Sequence, residues 1–279
     1  MKSALRFVLM GGVLKAAPRI LVHGHRGARA ARPENTLPAF EYAIAAGADF
    51  LELDVAVTRD DVLVVSHDPV FNPDICRAPG GSRVIRELTL AELRLWDCGS
   101  LHNPRFPSQQ PVPGARIPTL DEVLDLAGSG AFGFNIETKS FPEHPELTPP
   151  PERFAALLLA AIRRRRLESR VVVQSFDFRT LAALRALAPE IRRAALDERG
   201  RCDFVSLARE AAEAQIVAPA FALVTPEKVR AAHAAGIEVV PWTANAAPAW
   251  DCLINAGVDG IITDDPAGLL AYLRERNLR

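Results

Sequence analysis

Short apolar runs alternate along this chain with longer stretches whose apolar residues recur every three or four positions. Residues 19–24 (RILVHG) form the first run and predict a strand that ends at Gly24. Pro33 and Glu34 then open a helix. Leu37, Phe40 and Ile44 share one face of it, and Gly47 ends it. FLELDVAV (50–57) predicts a second strand, and after a turn at Arg59-Asp60-Asp61 a further extended segment runs to Asp68. From residue 119 the alternation is regular. Helices are expected at 119–127, 152–166, 177–187, 205–212, 226–235, 246–256 and 266–276. Strands are expected between them at 131–138, 170–175, 191–196, 214–218, 237–241 and 258–262. Repeated strand–helix units argue for a parallel sheet. About eight of them in roughly 250 residues argue for an α/β chain closed as a (β/α)8 TIM barrel. An open doubly wound sheet is the alternative, but no GxGxxG follows the first strand. A single barrel domain over 19–276 is therefore expected.

Residues 69–118 interrupt the rhythm with Asn72-Pro73, Pro79-Gly80-Gly81, Asn103-Pro104, Pro107, Pro111, Pro113, Gly114 and Pro118. They predict a small loop-rich insertion or lid after the second strand unit, with one short helix at 89–96 capped by Thr89.

Composition narrows the class. The 279 residues carry a net charge of -1, which excludes a strongly basic nucleic-acid surface. No stretch approaches the ~18 apolar residues of a membrane span, so stable membrane insertion is not expected. Residues 1–18 form an N-terminal extension. Lys2 and Arg6 before FVLMGGVL faintly resemble a signal peptide, but the run is short, Lys15 stands where a cleavage region is neutral, and no A-x-A follows. A cytoplasmic placement is favoured, with a periplasmic or exported one as the alternative. The four cysteines show no metal-type spacing, and free buried thiols are the expectation. A Cys76–Cys98 bridge would belong to the exported case.

Polar residues gather at the C-terminal ends of the predicted strands, as at Gln174-Ser175, Trp242-Thr243 and Thr263-Asp264-Asp265. In a barrel that end carries the active site. Strand periodicity places Glu52 and Asp54 on one face, with Leu51, Leu53 and Val55 on the other. In NIETK the same parity groups Asn135, Glu137 and Lys139. Three inward carboxylates form a hard oxygen-donor set suited to one divalent cation, Mg2+ or Ca2+; zinc is disfavoured because no His or Cys has matching spacing. The competing reading of Glu52 and Asp54 is a buried ion pair with Arg or Lys. His25 and His67 close two extended segments and are candidates for acid and base. His23 has the parity to line the barrel below them in a structural role, and structural or surface roles are expected for His102, His144 and His233. Arg26 and Lys139 could together hold a phosphate, although a salt bridge inside the carboxylate cluster would also account for Lys139.

The ordered set H-R-G-A-x4-P-E-N-T, E-L-D, S-H-D, N-I-E-T-K, Q-S-F and P-W-T-A-N resembles the glycerophosphodiester phosphodiesterase family. The resemblance covers nearly the whole chain outside 69–116 and the first 18 residues. It implies a (β/α)8 barrel with a small insertion that hydrolyses glycerophosphodiesters to sn-glycerol 3-phosphate and an alcohol. It implies His25 and His67 as the acid/base pair, Glu52, Asp54 and Glu137 as metal ligands, and Arg26 and Lys139 as phosphate contacts. Glu34 would orient a histidine or approach the metal, and Trp242 would pack against the glycerol or alcohol end. Ala244 stands where many relatives carry a larger apolar residue. A phospholipase D-like or lysophospholipase D-like barrel acting on lipid headgroups is the rival enzyme, and a binding barrel without turnover is the rival of another class. The small-molecule diester is the expected partner.

Overall fold

The computed structural model describes residues 19–279; the expectations for the extension at 1–18 lie outside the described residues. Nine strands form one sheet: β1 (Leu21–Gly24), β2 (Phe50–Val57), β3 (Leu63–Val65), β4 (Gly133–Thr138), β5 (Val171–Ser175), β6 (Arg192–Asp197), β7 (Ile216–Pro219), β8 (Glu238–Val239) and β9 (Gly260–Thr263). Eight are parallel in the order β8-β7-β6-β5-β4-β2-β1-β9, while β3 folds back antiparallel on β2. Backbone bonds from Asp259 N to Val239 O (3.0 Å), Ile262 N to Pro241 O (2.9 Å) and Ala244 N to Ile262 O (3.2 Å) join the two ends of that order. The ring closes, and the barrel expectation holds over the open sheet.

The helices are α1 (Leu37–Ala46), α2 (Leu90–Leu93), α3 (Leu120–Leu124), α4 (Pro151–Arg164), α5 (Phe178–Leu187), α6 (Phe204–Glu210), α7 (Pro226–Ala234), α8 (Ala247–Ala256) and α9 (Pro266–Glu275). Their starts follow local chemistry. Thr119 and Glu122 form a capping box on α3, and Asp177, Asp203 and Asp265 accept from the first-turn amides of α5, α6 and α9. Left-handed Gly47 and Gly257 end α1 and α8. Leu51, Leu53 and Val55 of β2 pack outward with Phe40, Phe154 and Leu158 in the layer between barrel and helices. A second cluster, with Val172, Ala194, Leu196, Ile216, Ala218, Val240 and Ile262, fills the barrel interior. Polar side chains enter the same interior, among them His23, Glu52, Asn135 and Gln174, all buried.

The insertion has a core of its own. Phe71, Ile85, Leu93, Trp96 and Ile117 are buried together, with the Phe71 and Trp96 rings 4.1 Å apart. Cys76 and Cys98 are joined as a disulfide, which corrects the expectation of free thiols there. The isolated antiparallel bridge Arg77↔Asp97 sets the two cysteines side by side, a pairing that their sequence spacing does not reveal. Of the other two, Cys202 is half-buried and Cys252 exposed. At the opposite, N-terminal face of the barrel, Asp49 accepts from Val22 N (2.8 Å), Arg19 Nη2 (2.6 Å) and Arg279 Nη1 (2.5 Å). Among the described residues no helix is long and apolar enough to cross a membrane.

Candidate active site

Parallel pairing of β2 with β4 sets Glu52 beside Asn135 and Asp54 beside Glu137, and pairing of β4 with β5 sets Glu137 beside Gln174. The alternation of the strands turns all of these inward. Glu52, Asp54 and Glu137 are buried, and one oxygen from each lies within 4.8 Å of the other two. Like charges so close are costly unless cations answer them. Lys139 Nζ reaches Glu137 Oε1 at 2.6 Å and Asp54 Oδ1 at 3.1 Å, and Arg26 Nε lies 3.3 Å from Asp54 Oδ2. Burial would raise the Asp54 pKa, but Lys139, Arg26 and the Asn35 amide (2.9 Å) outweigh it and hold that carboxyl well below its usual range. Burial, Asp54 and Glu137 push Glu52 well above it. Burial also raises Glu137, against the pull of Lys139. The ion-pair alternative thus describes Asp54 and Glu137, whereas Glu52 forms no pair with any Lys or Arg among the described residues. A hard oxygen set with one carboxylate lacking a fixed countercharge fits a divalent cation.

The His-Arg-Gly turn drops onto this cluster because its backbone is held in tight contact. A Cβ on Gly24 would stand 2.2 Å from Gly27 O, and one on Gly27 (φ +85°) 2.7 Å from the Ala39 backbone. Arg26 itself adopts φ 51°. Its amide donates to Glu52 Oε2 at 2.9 Å, and its guanidinium reaches Glu34 Oε1 at 2.6 Å. Glu34 therefore orients an arginine; its other oxygen lies 3.7 Å from Arg29.

His25 Nδ1 meets Asp264 Oδ1 at 2.5 Å, and its Nε2 lies 4.0 Å from Glu52 Oε2. Burial lowers the His25 pKa to about 4, against the Asp264 hydrogen bond and with help from Arg26 and Arg29. The ring is neutral at pH 7. Asp264 also accepts from Arg29 Nε (2.5 Å) and Asn245 Nδ2 (2.7 Å), so three residues fix it. His67, following β3, is more open, with its side chain 35% exposed, and its Nδ1 meets Asp68 Oδ1 at 2.7 Å.

Both histidines line one cleft of about 240 Å³ with Arg26, Arg29, Glu52, Glu137 and Trp242. Trp242 donates Nε1 to Ala218 O at 2.8 Å and meets Phe176 edge to face at 5.6 Å on the cleft wall. Lys139 lies among the carboxylates behind them, buried. His23 sits lower in the barrel, stacked on Phe50 at 4.4 Å. His144 and His233 pair with Glu146 and Asp259 away from the cleft.

Sequence reasoning assigned no role to Asp264, Arg29, Asn245, Asn35 or Gln174. Asp264 and Gln174 did carry a signal, as polar residues ending barrel strands. Asn35 and Asn245 stand inside the P-E-N-T and P-W-T-A-N motifs without a role of their own, and Arg29 falls among the unspecified positions between motif residues and carries no signal by itself.

A model of the glycerophosphoryl diester phosphodiesterase family matches residues 25–268. A glycerophosphodiester phosphodiesterase from Caldanaerobacter subterraneus subsp. tengcongensis is 35% identical over 261 residues, spanning 92% of this chain and 99% of that protein. A solved structure from Silicibacter pomeroyi DSS-3, provisionally named a glycerophosphoryl diester phosphodiesterase, superposes with a TM-score of 0.85 at 35% identity over 94% of this chain and 95% of that one. An Oleispira antarctica phosphodiesterase, solved with the product sn-glycerol-3-phosphate, superposes with a TM-score of 0.78 over 92% of this chain and 97% of that one; at 24% identity it speaks for the fold.

Proposed function

The chain belongs to the glycerophosphoryl diester phosphodiesterase family, and from that premise we propose that its cleft hydrolyses glycerophosphodiesters to sn-glycerol 3-phosphate and an alcohol. The observation that carries the reading is the meeting of three inward carboxylates and two carboxylate-anchored histidines at one barrel mouth. Glu52, Asp54 and Glu137 would hold one divalent cation, Mg2+ or Ca2+. When bound, that cation supplies Lewis-acid stabilisation of charge on the phosphoryl oxygens.

The chain's own residues do the rest. Arg26, fixed by Glu34, presents a guanidinium to the phosphate, and Lys139 adds a point charge from behind the carboxylates. His25, held neutral at pH 7, takes the proton of the attacking oxygen at Nε2, because Nδ1 is committed to Asp264. That oxygen belongs either to water or to the glycerol 2-hydroxyl, and in the second case water then opens the cyclic phosphate to sn-glycerol 3-phosphate. His67, anchored by Asp68 on the open side of the cleft, gives a proton to the leaving alcohol. Trp242 and Phe176 offer an apolar wall to the glycerol or alcohol end. Beneath the insertion, the space beside His67 that is lined by Phe71, Ile75, Leu101 and Ile117 measures about 30 Å³. The Cys76–Cys98 disulfide favours an oxidising compartment over the cytoplasmic placement expected from sequence.

The test is release of glycerol 3-phosphate from glycerophosphocholine with Mg2+ or Ca2+, lost on adding EDTA. His25→Ala and His67→Ala should each lower turnover by at least about 100-fold. Near-normal activity in either variant removes that histidine from proton transfer, and activity that survives EDTA removes the cation.

A further inference from the structure

Glu52 differs from the other two carboxylates of the cluster in what holds it. Asp54 and Glu137 are each tied to Lys139, and Asp54 also to Arg26. Glu52 is held by two neutral donors instead, one on each oxygen. The Arg26 amide donates to Oε2 at 2.9 Å, and Gln174 Nε2 donates to Oε1 at 2.8 Å. Gln174 is 1% exposed and comes from β5, level with Glu137, so its side chain reaches across the barrel interior to β2. Its own oxygen accepts from Asn135 Nδ2 at 3.0 Å. The amide is thus pinned at both ends. Turning it over would set Oε1 against a carboxylate and Nε2 against the Asn135 amino group, two repulsive contacts in place of two hydrogen bonds. With Oε1 committed to Asn135, Gln174 is placed to orient a ligand and not to act as one.

We propose that Gln174 is a positioning residue for the metal centre, fixing the plane of the Glu52 carboxylate so that the three acidic residues present a preset oxygen set. The proposal rests on the reading of Glu52, Asp54 and Glu137 as the ligands. A neutral amide suits the task because it orients Glu52 without supplying charge. A lysine in the same place would neutralise Glu52 permanently and compete with the incoming cation. Groups that orient metal ligands typically contribute 10- to 100-fold to metal affinity.

The experiment compares the full chain with Gln174→Met, which keeps the length and loses both polar atoms, and Gln174→Asn, which keeps the amide but withdraws it by one methylene. Binding of Ca2+ and of Mg2+ alone is titrated calorimetrically, and melting is followed without metal. Both variants should bind the preferred cation about 10- to 100-fold more weakly. A role confined to packing would lower the metal-free melting temperature and leave affinity unchanged. Affinity within about threefold of the parent in a folded variant would overturn the proposal while leaving the ligand set intact. Failure of the parent itself to bind either cation would overturn the ligand reading, and this proposal with it.

Discussion

Acidification should destabilise this fold, and a definable share of the loss should belong to His23. That side chain is 2% exposed, stacked on Phe50, and its Nε2 has no partner. Burial lowers its pKa to about 3, against the pull of Asp49 and with help from Arg192. In the unfolded chain the ring titrates near 6.5. Above pH 6.5 the ring is neutral in both states and the term vanishes. Below 6.5 the unfolded state binds a proton that the folded state refuses. Stability is therefore lost at about 1.4 kcal/mol per pH unit until the folded pKa is reached. Between pH 6.5 and 4.5 the loss is about 2.7 kcal/mol, and at pH 3 it reaches about 4.4 kcal/mol. His25, lowered to about 4, adds a term of the same sign. The perturbation is His23→Leu, and the assay is urea unfolding of parent and variant at several pH values from 8 to 4.5. Any change in packing shifts the two curves by a constant. The slope isolates the imidazole, so the variant should lose about 1.4 kcal/mol less per pH unit below 6.5. Parallel curves would mean that His23 is protonated in the folded state, and would refute its description as a neutral ring in a dry interior.

Two further outcomes concern the insertion. Gln109 is buried; it donates to Arg29 O (2.7 Å) and Arg32 O (3.2 Å) and accepts from Asn103 N (3.2 Å), stapling the insertion to the loop that carries Arg29. Gln109→Met should lower kcat by about 10- to 100-fold, with metal affinity unchanged and faster amide exchange over 26–34; parental exchange there would show that the staple holds nothing. Cys98→Ala opens a cross-link between residues 22 apart in sequence, which stabilises by roughly 3 kcal/mol. Limited proteolysis should cut the variant faster within 76–98, and equal cutting rates would deny the bridge that role.

Much of the barrel was legible in the sequence because each strand must satisfy two different surroundings at once. Leu51, Leu53 and Val55 face the helices while Glu52 and Asp54 face inward, so parity alone assembled the acidic trio once Glu137 was aligned with them. What parity cannot supply is a partner far away in the chain. His25 and Asp264 are 239 residues apart and meet only because β1 lies beside β9. The sequence could mark Asp264 as a polar strand end, but its contact with His25 awaited ring closure. The same holds for Gln174, whose role depends on reaching past β4 to β2. The insertion was the least legible part. The helix expected over 89–96 stops at Leu93 because the next amides bond three residues back, Leu95 N to Glu92 O and Trp96 N to Leu93 O. That tighter turn delivers Trp96 to Phe71, a contact decided by the insertion's own core.

The knot at Asp49 bears on how this barrel can be handled. Arg19 and Arg279 grip the same carboxylate, so the first and last described residues are neighbours on the face opposite the cleft. A bead, surface or fusion partner attached through residue 279 therefore leaves the mouth pointing into solution. With residues 1–18 removed, a short peptide could also join 279 to 19, allowing the barrel to be reopened at a surface turn elsewhere with every strand keeping its neighbours. Circularly rearranged forms of this chain, or arrays of it on a support, would expose their reactive ends in common orientation.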